Sequence, residues 1–120
     1  MARTAENQAT VSTDVVGPGM EIVSLDGEFD LSNCGQVEGR LSDIVRGREG
    51  TDIVVDLRGV SFLDSTMLHL LLREMTRADE RGAEFVLIRP NATVWKAFVL
   101  TGLSDRFVTY TSLHEALSVR

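Results

Sequence analysis

The chain has 120 residues, of which 43% are hydrophobic and 25% charged, and its formal charge is −6. That length fits one ordinary domain of ~100–150 residues, large enough to fold without disulfides or metal. The acidic balance and the lack of a basic run exclude direct binding of duplex nucleic acid.

Other exclusions follow from particular residues. No apolar run approaches the ~20 residues that cross a bilayer, so no membrane insertion is expected. The start, MARTAENQAT, has no hydrophobic stretch and does not read as a secretory signal. A lone cysteine, Cys34, forms no internal disulfide and fits a reducing, cytoplasmic setting. With His69 and His114 it leaves too few soft ligands for a structural zinc site, and no cofactor is expected. Lys96 is the sole candidate for Schiff-base chemistry.

Residues 1–9 are polar and aperiodic and read as a flexible tail ahead of a single domain spanning 10–120. Thr10 to Val16 and Met20 to Leu25 read as a strand pair across Gly17-Pro18-Gly19. Gly27-Glu28-Phe29-Asp30 follows, and Ser32 or Asn33 can cap a helix. Val37, Leu41, Ile44 and Val45 form an apolar stripe at helical spacing, closed by the polar loop Arg46-Gly47-Arg48-Glu49-Gly50. Thr51 to Leu57 contains the β-branched run Ile53-Val54-Val55, suited to a strand covered on both faces.

Ser61-Phe62-Leu63-Asp64 leads into a helix from about Ser65 to Arg81. Its expected core stripe is Leu68, Leu71, Leu72 and Met75, with Arg73, Arg77 and Glu80 in water, and Gly82 suits a left-handed C-cap. Phe85 to Ile88 reads as a strand ended by Arg89-Pro90-Asn91. Val94, Ala97, Phe98 and Thr101 mark a third helix stopped by Gly102. Phe107 to Tyr110 reads as a last strand, and Ser112-Leu113-His114-Glu115 as a capping box. The order β-β-α-β-α-β-α-β-α indicates an α/β fold with a largely parallel or mixed sheet. In such sheets function gathers where strands end and helices begin. Here that edge holds Asp30, Ser32, Asn33, Asp64, Ser65, Thr66 and Asn91.

Leu63-Asp64-Ser65-Thr66-Met67 joins the central strand to the most apolar helix. A serine at a helix start exposes its hydroxyl near free backbone N–H groups, and a phosphate there would gain ~0.3–1 kcal/mol from the helix dipole. Plain N-capping by Asp64, Ser65 or Thr66 explains the same residues.

The stretch Asp56 to Leu68 (DLRGVSFLDSTML) resembles the signature of STAS domains, specifically of anti-sigma factor antagonists. Gly27-Glu28-Phe29-Asp30-Leu31 is similar to the family's "Gly-Glu-Leu-Asp" segment. Leu100 to Phe107 is similar to its "Leu-Thr-Gly-Leu-x-x-x-Phe". The resemblance implies the STAS fold: four to five strands in a mixed sheet, with helices packed mainly on one face. It implies a protein-binding switch and not an enzyme. Ser65 would be phosphorylated by an anti-sigma factor that is a serine protein kinase, a phosphatase would reset Ser65, and a sigma factor would be released in between. Asp64 matches the neighbouring aspartate and Asp30 an acidic contact with the kinase. The expected partner surface comprises Asp30, Asn33, Asp64, Ser65, Thr66 and Met67. Met67 stands where the family usually has glycine, and His69 where it often has a small residue. Helical spacing places the Met67 side chain away from Leu68 and Leu72, on the surface that carries Ser65.

Other readings are a STAS subunit of a transporter or larger signalling assembly, and a small-ligand or nucleotide binder using the strand-end loops. A receiver-type aspartate at Asp56 lacks its acidic pair, since Asp26 and Asp30 are not adjacent, and Lys96 falls in a helix. Ser65 and His69 share a helix face but have no third group to orient a base. Arg89-Pro90-Asn91 lacks a Gly-rich phosphate loop. Trp95, off its helix's stripe, is expected to pack partly under the adjacent helix. Cys34 reads as an inert helix-start residue.

Overall fold

The computed structural model describes residues 9–17, 19–47 and 50–118. Its elements are β1 (Thr10–Val15), β2 (Met20–Phe29), α1 (Cys34–Gly47), β3 (Asp52–Leu63), α2 (Ser65–Glu80), β4 (Phe85–Ile88), α3 (Ala92–Leu100), β5 (Val108–Tyr110) and α4 (Leu113–Ser118). A short 3-10 turn, Ser104–Arg106, precedes β5. The tail at residues 1–8, Pro18 of the hairpin turn and the Arg48-Glu49 loop lie outside the described residues.

The strands form one sheet in the order β1-β2-β3-β4-β5. β1 runs antiparallel to β2, and the remaining pairs are parallel. This is the mixed five-stranded α/β arrangement anticipated above. One sheet face carries the main core: Val23, Leu25, Phe29, Ile53, Val55, Leu57 and Leu87 meet Val37 and Leu41 of α1, Leu68 and Leu71 of α2, and Val94 and Phe98 of α3. The other face is covered over one half, where Ala116 of α4 meets Met20, Ile22, Val54, Val86 and Ile88. That division explains why the central strand is apolar on both sides through Val55.

Two strands run further than their sequence suggests. β2 continues to Phe29 rather than ending near Leu25, and β3 continues to Leu63 rather than ending at Leu57. The extension is possible because the β2–β3 register shifts twice, between Ser24 and Asp26 and between Gly27 and Glu28. Each shift leaves one extra residue in β3, which breaks strict alternation and hides the strand from a period-two reading. Gly59 sits at the first shift, where a Cβ would stand 2.6 Å from Asp26 Oδ2, so the close approach needs glycine.

α2 is buried on a face rotated from the expected one. Met67, Leu68, Leu70, Leu71, Glu74 and Ala78 are buried, whereas Leu72 and Met75 are only partly so. Glu74 is the reason the stripe is hard to read: a charge falls in the middle of the buried row Met67-Leu71-Glu74-Ala78. The Ser42 hydroxyl of α1 donates to Glu74 Oε1 at 3.2 Å, and Arg77 Nη1 donates to Oε2 at 3.0 Å. Arg73 Nε lies 3.7 Å from the same Oε2, and its guanidinium also pairs with Glu38 of α1. A buried carboxylate is tolerated when paired and costly when left alone. Removing both cations with Arg73→Ala/Arg77→Ala is therefore expected to cost about 3 kcal/mol in urea unfolding. Adding Glu74→Leu to that variant should recover much of the loss; no recovery would mean that the carboxylate is not stranded.

Candidate functional site

The C-terminal ends of β2, β3 and β4 share one edge, and the loops leaving it are short. After β2 the chain turns tightly through residues 30–33. Asp30 Oδ1 accepts from the Ser32 backbone N–H at 2.9 Å and from the Ser32 hydroxyl. Asn33 Oδ1 accepts from the Asp30 N–H at 2.9 Å, and Asn33 Nδ2 donates to the Glu28 carbonyl at 2.8 Å. The Cys34 N–H, the first of α1, donates to the Asp30 carbonyl at 2.9 Å. Both ends of the Asn33 amide are thus used inside the loop, which makes Asn33 a brace behind the surface.

Asp64 joins this loop to α2. Its backbone is extended, as an N-cap requires, and Oδ1 accepts from the Met67 N–H at 3.1 Å. Oδ2 accepts from the Leu31 N–H at 3.2 Å across 33 residues of sequence. One carboxylate therefore satisfies a free amide of α2 and fixes the β2–α1 loop beside it. N-capping is real here, and it is the work of Asp64. Ser65, the first residue of α2, is left exposed, and Thr66 is half-buried.

Met67 departs from its expected place. It is fully buried, within the core cluster of the main sheet face, and is not part of the surface around Ser65. Because α2 is wedged between the sheet and α1, its buried arc is wide enough to take in the third residue of the helix. Asp30, Asp64, Ser65 and Thr66 come together at the edge; Met67 lies beneath them.

Leu31 and Phe62 went unrecognised in the sequence. Leu31 is 74% exposed in the loop that Asp64 holds, and Phe62 is 48% exposed near the end of β3. The other large exposed apolar side chains among the described residues are Val15, Val16, Val99, Leu100 and Val108, where β1 and α3 end and β5 starts, at the opposite edge. The available signal was position: Leu31 is a lone apolar residue between Asp30 and Ser32, and Phe62 lies two residues before Asp64 in a stretch that reads as strand.

The β4–α3 loop closes the edge. Asn91 caps α3 by accepting from the Val94 N–H at 2.9 Å. Arg89 lies 4.9 Å over the Trp95 ring, and its Nε donates to Thr109 Oγ1 at 3.0 Å. Trp95 is partly buried against the core, and the partner of its ring is Phe98 of its own helix, where packing under the adjacent helix was expected; Arg89 covers its outer side. A cleft of about 500 Å³ lined by Met75, Asp79, Phe85, Arg106 and Val108 lies at the opposite edge, away from Ser65. Among the described residues no group of three or more His, Cys, Asp or Glu side chains could hold a metal ion. Nor, among the described residues, is any helix long and apolar enough to cross a membrane.

Asp56 stands on β3 before the register shift and pairs with Arg58, Nη2 to Oδ2 at 2.8 Å. Burial disfavours its charge, but hydrogen bonds from the Arg58 side chain and backbone N–H, with the guanidinium charge, outweigh it and hold the carboxyl below its usual range. A carboxyl so lowered stabilises the fold above its unfolded value of ~4, and that contribution disappears as pH falls through the folded value. Asp56→Asn is expected to flatten the dependence of the melting temperature on pH between about 5 and 3. An unchanged slope would mean that solvent screens the pair.

Two substitutions test the build of the site. Met67→Ala should cost ~2–5 kcal/mol, the range for a truncated core methionine, in chemical denaturation. Asp64→Ala should cost about 1–2 kcal/mol through the lost cap, and the Leu31 amide should then exchange faster with solvent. Unaltered Leu31 exchange would show that Asp64 does not hold the loop.

Comparison with known proteins agrees with this architecture. The family model described as STAS domain matches residues 12–116. The chain is 27% identical over 100 residues to the anti-sigma-F factor antagonist RsfB of Mycobacterium tuberculosis, covering 83% of this chain and 80% of the relative. It is 32% identical over 79 residues to an anti-sigma-B factor antagonist of Listeria monocytogenes, covering 66% and 68%. The crystal structure of an anti-sigma factor antagonist from Mycobacterium paratuberculosis superposes with a TM-score of 0.83 at 24% identity, covering 98% of this chain and 97% of that one. The chain belongs to the STAS domain family, alongside the anti-sigma factor antagonists.

Proposed function

We propose that this protein is a cytoplasmic partner-switching antagonist. In its unmodified form it binds an anti-sigma factor through the Asp64 edge, and a sigma factor is thereby freed to direct transcription. The observation that carries this reading is the exposed Ser65 at the start of α2, next to Asp64, whose carboxylate holds the loop that bears the exposed Leu31. Exposed apolar groups ringed by polar ones mark protein contacts, and here they coincide with the family's serine. Asp30 and Asp64 border the same patch and give it negative charge, suited to a partner surface bearing cations.

Phosphorylation of Ser65 would add roughly two negative charges beside Asp64. Charge of that sign opposes a contact that already places carboxylates at its rim. The anti-sigma factor in this reading is a serine protein kinase that supplies ATP, and a separate phosphatase restores the hydroxyl. The protein itself acts by binding and not by catalysis.

Incubation with the cognate anti-sigma kinase and ATP, followed by peptide mapping, should place the phosphate on Ser65. Leu31→Ala and Phe62→Ala should each weaken binding of the unmodified protein by about tenfold or more while leaving the melt near wild type, because both side chains are already in water. Modification at Thr66, or full affinity in both alanine variants, would contradict the assignment of this edge.

A further inference from the structure

The first eight residues of α2, Ser65 to Leu72, contain one ionisable side chain, His69. Ser65 and His69 are both exposed. Residues four apart lie one above the other on a helix, with ~5–6 Å between Cβ atoms, and helical side chains lean toward the N-terminus. The imidazole is thus directed back over the turn that carries Ser65. The remaining charges around this face do not compete for the role. Arg73, one turn further on, is held by Glu38 of α1 and by Glu74. Asp64 and Asp30 in the loops carry the wrong sign, and β3 and β4 contribute apolar Val55, Leu57 and Leu87 to the core below.

We propose that His69 is the internal contact for a phosphoryl group on Ser65, donating to it from one turn along the helix. This rests on the reading of Ser65 as the modified residue. It adds that this chain carries its own partial counter-charge, which makes the modified state more favourable at mildly acid pH. Without such a cation the phosphate would meet the free amides of the helix start and the like charge of the adjacent Asp64. A protonated imidazole favours the dianionic phosphate over the monoanion, so the phosphate's second ionisation should move to lower pH.

The test uses the full chain with phosphoserine encoded at position 65, so that no kinase is needed. Phosphorus NMR is recorded between pH 4.5 and 8 for the wild type, for His69→Gln and for His69→Lys. The phosphoserine midpoint, ordinarily near pH ~6, should lie about half a pH unit lower with His69 than with glutamine. The lysine variant should keep a lowered midpoint, since it supplies a cation at the same site. Equal midpoints in all three proteins would overturn the proposal. Failure of partner binding by the unmodified protein would instead strike the functional reading, which this titration does not use.

Discussion

The functional edge depends on a single carboxylate. Asp64 closes the first turn of α2 through the Met67 amide and, with its second oxygen, holds the Leu31 amide from a loop 33 residues earlier. Each bond alone is worth on the order of 1 kcal/mol, but together they hold the two segments to one another just beyond the last strand pair, Phe29 with Leu63. Ser65 is exposed because its neighbour does the capping. Leu31 is exposed because its backbone, and not its side chain, is tied down. The same interaction therefore fixes both the segment that bears Ser65 and the loop that bears Leu31.

Around that point the fold separates rigidity from recognition. Beneath α2 the main core is continuous from Val37 to Phe98, and the ionic group of Glu74, Arg73, Arg77 and Glu38 joins α1 to α2. Both helices leave the functional edge, so whatever orients them also orients the Asp30 loop and Ser65. The register shifts in β3 serve the same end. They carry the strand on to Leu63: the first brings even-numbered Val60 into the core that Ile53, Val55 and Leu57 share, and the second returns the core position to Leu63.

Much of this was legible in the residues. The α1 stripe, the αL glycines Gly82 and Gly102, the Ser112 cap and the order of elements follow from local rules that the tertiary structure respects. At the last helix Glu115 accepts from Thr111 N–H, one residue before the cap, a small variation on the expected capping box. What was not legible depends on long-range contacts. The face of α2 was misjudged because a buried glutamate interrupts its apolar row and finds its partners on α1 and along its own helix. Met67 was therefore placed on the surface, where it would replace the family's glycine as a contact, although it extends the core instead. Asn33 seemed available to a partner until its two hydrogen bonds within the loop were visible. Phe62 was hidden because exposure of an apolar residue beside Val60 and Leu63 has no local signature.

The central claim is that charge at Ser65 controls binding at an edge whose shape does not change. It is tested most directly by titrating one anti-sigma factor with the unmodified chain and with the chain carrying phosphoserine at 65, while amide spectra of both forms are compared. The account predicts affinity lower by at least about tenfold for the phosphorylated form, with shifts confined to residues near 30–33 and 62–69. Equal affinity of the two forms would contradict it, as would a loss of affinity accompanied by shifts spread through the core.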